Sequence, residues 1–153
     1  MSFDNVSGTT VFNDGSGGST MDGTLNGTAT IVGGGMFGNA LQVLGVNSPD
    51  ASVRIADAVV PLNVQAGYAW TVACWIKTST RGATWMYQGD GNWNAGNTTF
   101  FTALNNGSTG NASDAAGGVR YGQGWQQGTT PVDNGVWHHI AFTWDGTDRK
   151  SVV

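Results

Sequence analysis

The sequence predicts an all-β protein, an antiparallel two-sheet sandwich of many short strands. Three observations predict it. Apolar residues recur with period two, the mark of half-buried strands, and no stretch carries helical i, i+3, i+4 spacing. Gly, Asn, Asp and Ser break the chain into short segments, and each of these residues favours turns for its own steric or hydrogen-bonding reason. All ten acidic residues are Asp, with no Glu anywhere, and Glu is the acid that suits helix interiors, whereas Asp suits turns and caps.

The strands follow in chain order. Residues 28–32, 40–44 and 53–56 read as short strands between Gly-, Asn- and Ser-rich turns. The segment 69–77 gives the clearest signal: Trp70, Val72, Cys74 and Ile76 form one face, and Thr71, Ala73, Trp75 and Lys77 the other. Strands are expected next at 83–88 and 98–104, with a fainter alternation at 118–123. The last is 136–145, with Val136, His138, Ile140, Phe142 and Trp144 on one face. A single helical turn is expected at 62–67, and a long exposed loop at 105–118, where apolar residues are few.

Composition narrows the function classes. Only 10% of residues are charged, but 39% are hydrophobic, which separates the chain from core-poor disordered sequences. One domain is the expectation for 153 residues. The net charge is −4 and the six basic residues form no run, so nucleic acid, which needs clustered cations against its phosphates, is set aside. No apolar run approaches the ~20 residues of a membrane helix, so no membrane insertion is expected. The start, Met1-Ser2-Phe3-Asp4, lacks the charged and apolar regions of a secretory signal. The single cysteine, Cys74, rules out an internal disulfide and reads as a small buried hydrophobe.

The tryptophans carry the best functional clue. Of seven, Trp70, Trp75, Trp137 and Trp144 lie on strongly patterned strands and read as core or sheet-face residues. Trp93 and Trp125 lie instead among Gly, Asn and Gln. Sugar rings offer flat C–H faces that stack on the electron-rich face of an indole, while their hydroxyls bond amides and carboxylates. Residues 89–97 supply both kinds of contact in Trp93 with Asp90, Asn92 and Asn94. Residues 121–127 do so in Trp125 with Tyr121, Gln123, Gln126 and Gln127, and Arg120 adds a donor. The competing reading folds both indoles back over the sandwich edge.

Catalytic chemistry finds little support. Asp90, Asp114 and Asp133 are the carboxylates that could converge, but none lies in an alternating acidic strand, and glycoside hydrolysis ordinarily needs a carboxylate pair. His138 and His139 are neighbours on one strand and so point to opposite faces. No Gly-x-Ser-x-Gly elbow accompanies them. Calcium, which takes carboxylate, amide and carbonyl oxygens, has two candidate loops: 13–23, with Asp14 and Asp22 as metal ligands, and 90–94, which resembles the start of an EF-hand loop without its bidentate Glu.

Several motifs in order resemble one family. Gly23-Thr24-Leu25-Asn26-Gly27 precedes a strand, and Gly38-Asn39-Ala40-Leu41-Gln42-Val43 follows a Gly-rich turn. Trp70-Thr71-Val72-Ala73-Cys74-Trp75-Ile76-Lys77 comes next, then Gly135-Val136-Trp137-His138-His139-Ile140-Ala141-Phe142-Thr143-Trp144-Asp145-Gly146. Together they resemble the laminin-G-like, concanavalin-A-like jelly-roll domains of secreted bacterial proteins. The glucanases that share this fold resemble one another in a Glu-x-Asp-x-Glu strand, which is missing here. The resemblance implies a jelly roll of two antiparallel sheets. It also implies a non-catalytic carbohydrate-binding module of a larger secreted or surface bacterial protein, extracellular or at the cell surface, with a structural calcium ion. Its partner would be a polysaccharide or other glycan. A protein-interaction or spacer domain of an adhesin is the alternative, and the remnant of a glycoside hydrolase a third reading.

The family pattern continues beyond the Asp-Gly turn into further strands. Here Asp148-Arg149-Lys150-Ser151-Val152-Val153 follows instead, and these residues match one reading frame of a common sequencing adapter. The expectation is a domain over 1–147, incomplete at its C-terminus, with a non-native tail at 148–153.

Overall fold

A computed structural model describes residues 1–43, 51–55, 69–80, 84–88, 100–104, 116–119, 125–127, 130–145 and 149–152. Among them are thirteen strands and one short 3-10 helix, Gly18–Met21, and every strand pairing is antiparallel. The all-β expectation holds. The turn expected at 62–67 lies outside the described residues.

The chain divides into two units, Met1–Val59 and Val60–Val153. In the first, β1 (Val6–Ser7), β2 (Thr10–Val11), β3 (Gly23–Asn26) and β6 (Ser52–Ile55) form one sheet in that order, and β4 (Thr30–Gly33) pairs with β5 (Asn39–Gln42) as a hairpin. Val11 is fully buried. Gly23 is buried as well, at a position where an added Cβ would run into the Val53 side chain. The N-terminal segment is tied to the hairpin by Asp4, whose carboxylate accepts the Asn39 amide at 2.7 Å.

In the second unit, β7 (Trp70–Lys77) pairs with β12 (Trp137–Trp144) along all eight residues, from Trp70 opposite Trp144 to Lys77 opposite Trp137. On the other side of β12 lies β13 (Arg149–Val152), with Ala141 opposite Val152 and Trp144 opposite Arg149. The second sheet runs β11 (Trp125–Gln127), β10 (Ala116–Val119), β9 (Phe100–Leu104), β8 (Thr84–Gln88). The two sheets approach each other where β10 and β11 meet β12 and β13.

The period-two pattern sets the core. Val72, Cys74 and Ile76 are half-buried, while Thr71, Ala73, Trp75 and Lys77 between them are exposed. Ile140 and Phe142 are buried on β12. Ile140 and Val132 form the centre of a cluster packed by Cys74 and Ile76. Ile140 stands directly opposite Cys74 in the ladder, so the core face is the one that alternation assigned to it. Val136 is the exception, at 53% exposed. It precedes the first paired residue of β12 and lies in the turn, where strand alternation no longer applies.

Besides β1, β2 and β13, which lie where the sequence reading expected no strand, three strands depart from it. Gly23–Asn26, read only as preceding a strand, is itself the strand β3. β10 starts at Ala116, inside the segment expected to be loop, and residues 120–123 of the expected strand lie outside the described residues. The segment Trp125–Gln127, outside every expected strand, is the strand β11. Each contains Gly or Gln where strand propensity would put Val or Ile; β3 and β10 are held by their ladders to β6 and β9, and β11 to β10.

Candidate functional site

The β7–β12 ladder places the two histidines. His138 lies on the core face, half-buried, and with Nε2 protonated it donates to Asn134 Oδ1 at 2.8 Å. The same oxygen accepts the Val136 amide at 3.3 Å. The turn is closed onto the end of β7 by the Gly135 amide, which donates to the Thr78 carbonyl at 2.9 Å. His138 thus joins the turn to its strand. His139 lies on the opposite, exposed face, opposite Trp75 in the ladder. Their ring centroids are 5.2 Å apart, with planes tilted by 59°. The histidines cannot hold one metal ion between them.

That exposed face is built in rows. Along the two strands it presents Thr71 with Thr143, Ala73 with Ala141, Trp75 with His139, and Lys77 with Trp137. Successive rows are about 7 Å apart, two residues of extended chain. Trp75 is 38% exposed, whereas side chains of its size are mostly buried. The sequence signal was present, since alternation put Trp75 on the face away from Val72, Cys74 and Ile76. Grouping it with the structural tryptophans hid it.

Cys74 faces the core, and burial pushes its thiol up to about 11. At neutral pH it is a protonated, apolar side chain, the role its surroundings in the sequence indicated.

Asp14 and Asp22, the expected metal ligands, both organise the segment around them. Oδ2 of Asp14 accepts the Ser2 amide at 2.8 Å and the Ser2 hydroxyl at 2.6 Å. These bonds hold the Asp14 carboxyl below its ordinary value. Oδ1 of Asp22 accepts the Asn13 amide at 2.7 Å. The Asn13 side chain spans the intervening loop, donating to the Gly15 and Gly18 carbonyls. The donors at hand are carboxylate, amide and carbonyl oxygens, the hard set that suits calcium rather than a softer metal. Among the described residues, no three His, Cys, Asp or Glu side chains gather to hold a metal ion.

Of the expected sugar-contact residues, Trp125 is placed by its backbone as the first residue of β11, opposite Val119. Asp90, Asn92, Trp93, Asn94, Tyr121 and Gln123 lie outside the described residues, as do Asp114 and Arg120. Asp133 is described and half-buried, just before the turn into β12. No helix among the described residues is long and apolar enough to cross a membrane.

Neither the curated proteins nor the solved structures provide a match. A laminin-G family model, described as the concanavalin A-like lectin/glucanases superfamily, matches residues 47–153. That span takes in β7 and β12, two of the segments that carried the sequence resemblance. The chain belongs to the concanavalin A-like lectin/glucanase superfamily.

Proposed function

We propose that the chain is a non-catalytic carbohydrate-binding module of a larger secreted or cell-surface bacterial protein. The observation that carries this reading is the setting of Trp93 and Trp125, each among amide side chains, in a chain of a lectin superfamily. Indole takes the apolar face of a pyranose ring, and the neighbouring Asp90, Asn92, Asn94, Tyr121 and Gln123 supply partners for its hydroxyls. The lack of any Glu and the opposed histidines weigh against a hydrolase.

The test is retardation of the chain in native gels containing one soluble polysaccharide each, followed by Trp93→Ala and Trp125→Ala. Retardation by at least one polysaccharide, weakened in the double variant, is the expected result. Undiminished binding in a folded double variant would remove both indoles from the site.

Calcium is proposed as a structural ion on the Asp14–Asp22 segment, using carboxylate oxygens together with loop carbonyls. Its mark is a melting temperature that rises with added calcium and falls with a chelator, without any change of activity being needed. An Asp14→Ala, Asp22→Ala variant that still responds fully to calcium would move the ion elsewhere.

One observation favours the second reading, a protein-interaction or spacer domain. At the turn of the β4–β5 hairpin, Met36 is 42% and Phe37 74% exposed, an apolar tip of the kind found at protein contacts. Failure of every polysaccharide with a folded chain would leave this reading standing.

A further inference from the structure

We infer that the exposed face of the β7–β12 ladder is a second sugar-contact surface, with Trp75 as its stacking platform. The inference rests on the carbohydrate-binding reading, and it concerns residues that reading does not use.

The argument is one of relief along the rows. The Trp75–His139 row stands next to the Ala73–Ala141 row on the same face. Methyl side chains rise far less from the sheet than an indole does, so the surface steps down beside Trp75. Beyond the step lies the Thr71–Thr143 row, and Thr71 is exposed. Ala73 is exposed and Ala141 half-buried, so the floor of the step is open to solvent on its β7 side. A pyranose lying on the alanine floor meets an aromatic wall on one side and a hydroxyl on the other.

The chemistry selects the ligand. An indole face attracts the weakly positive C–H bonds of a ring whose hydroxyls are equatorial, since these leave the ring faces apolar. β-Linked glucose and xylose polymers have this shape. His139, exposed and tilted against Trp75, offers ring nitrogens to the hydroxyl rim. The platform stands in an eight-residue ladder, not a loop. Its backbone is held by the ladder before binding, which lowers the entropy lost when a sugar docks.

The experiment measures retardation in native gels containing soluble β-glucan or xylan. It compares the unaltered chain with Trp75→Ala, with Ala73→Arg, and with the Trp93→Ala, Trp125→Ala double variant. Ala73→Arg fills the step at an exposed position and leaves Trp75 in place, so it decides the matter if Trp75→Ala fails to fold. Circular dichroism and melting check folding. Trp75→Ala and Ala73→Arg are each expected to weaken binding at least tenfold. Binding by folded Ala73→Arg within twofold of the unaltered chain overturns the inference, and so does binding lost only in the Trp93/Trp125 variant, which leaves the broader reading intact. No retardation of the unaltered chain by either polysaccharide overturns it as well, while binding to some other polysaccharide would preserve the broader reading.

Discussion

Replacing Ile140 by Ala tests whether the β7–β12 ladder seats the core of the second unit. Ile140 is 1% exposed and packs with Val132, Cys74 and Ile76. The change removes three carbon groups, worth about 0.8 kcal/mol each, or roughly 2.4 kcal/mol of lost transfer energy. The void left behind adds to this, since neighbours relax only partly, and brings the total to about 3–4 kcal/mol. Ile140→Val, which removes one carbon, should cost about 1 kcal/mol. Val136→Ala is the control: its side chain is 53% exposed, and the cost should stay within about 0.5 kcal/mol. Urea denaturation followed by tryptophan fluorescence reads all three, and an unchanged slope confirms that midpoint shifts report stability. If Ile140→Ala proves no more costly than Val136→Ala, Ile140 is not in a packed core and the assignment of the inward face is wrong.

Three more predictions concern individual groups. Gly38 has φ +68°, and an added Cβ would run into the Asp4 carboxylate, so Gly38→Ala should destabilise the first unit by about 1–2 kcal/mol; equal denaturation midpoints would contradict this. The Asp14 carboxyl is lowered from 3.8 by its bonds to Ser2, so its contribution is full above 3.8 and disappears as pH falls through the lowered value. The stability gap between the unaltered chain and Asp14→Ala should therefore narrow as pH falls below 3.8, and a gap that does not narrow at all on acidification would be inconsistent with that linkage. With its thiol at about 11, Cys74 should react with a maleimide at pH 8 roughly a hundredfold more slowly in the folded chain than in denaturant; equal rates would mean the thiol is not buried.

What could be read from the sequence depended on how strongly a segment alternates. Strands β7 and β12 were found within a residue at each end, because Val72, Cys74, Ile76, Ile140 and Phe142 all need the same side of a sheet. β10 and β11 were not, because Gly117, Gly118, Gln126 and Gln127 carry no preference for either face; the ladder that holds them is a backbone property. Gly23 opened a motif read only as preceding a strand, yet it lies in β3 as a close-approach glycine beside Val53. The site was harder to read than the fold. Alternation states which face a tryptophan occupies but not whether that face is covered, so the exposure of Trp75 emerged only in three dimensions. Similarly, Asp14 and Asp22 have the chemistry of metal ligands, but sequence could not reveal that Ser2 and Asn13 bond to them.

The long ladder of the second unit also sets a schedule for synthesis. The nearest pair in it, Lys77 with Trp137, is separated by 60 positions of chain. Translation at about 5–20 residues per second leaves β7 waiting roughly 3–12 s for its partner. During that time Trp70, Val72, Cys74 and Ile76 form an apolar strand with an open edge, a ready template for another nascent chain. Pairing at such sequence distance also makes closure slow even once the chain is complete. The yield of soluble protein should thus depend on translation speed and temperature, or on a partner that shields β7 until β12 arrives.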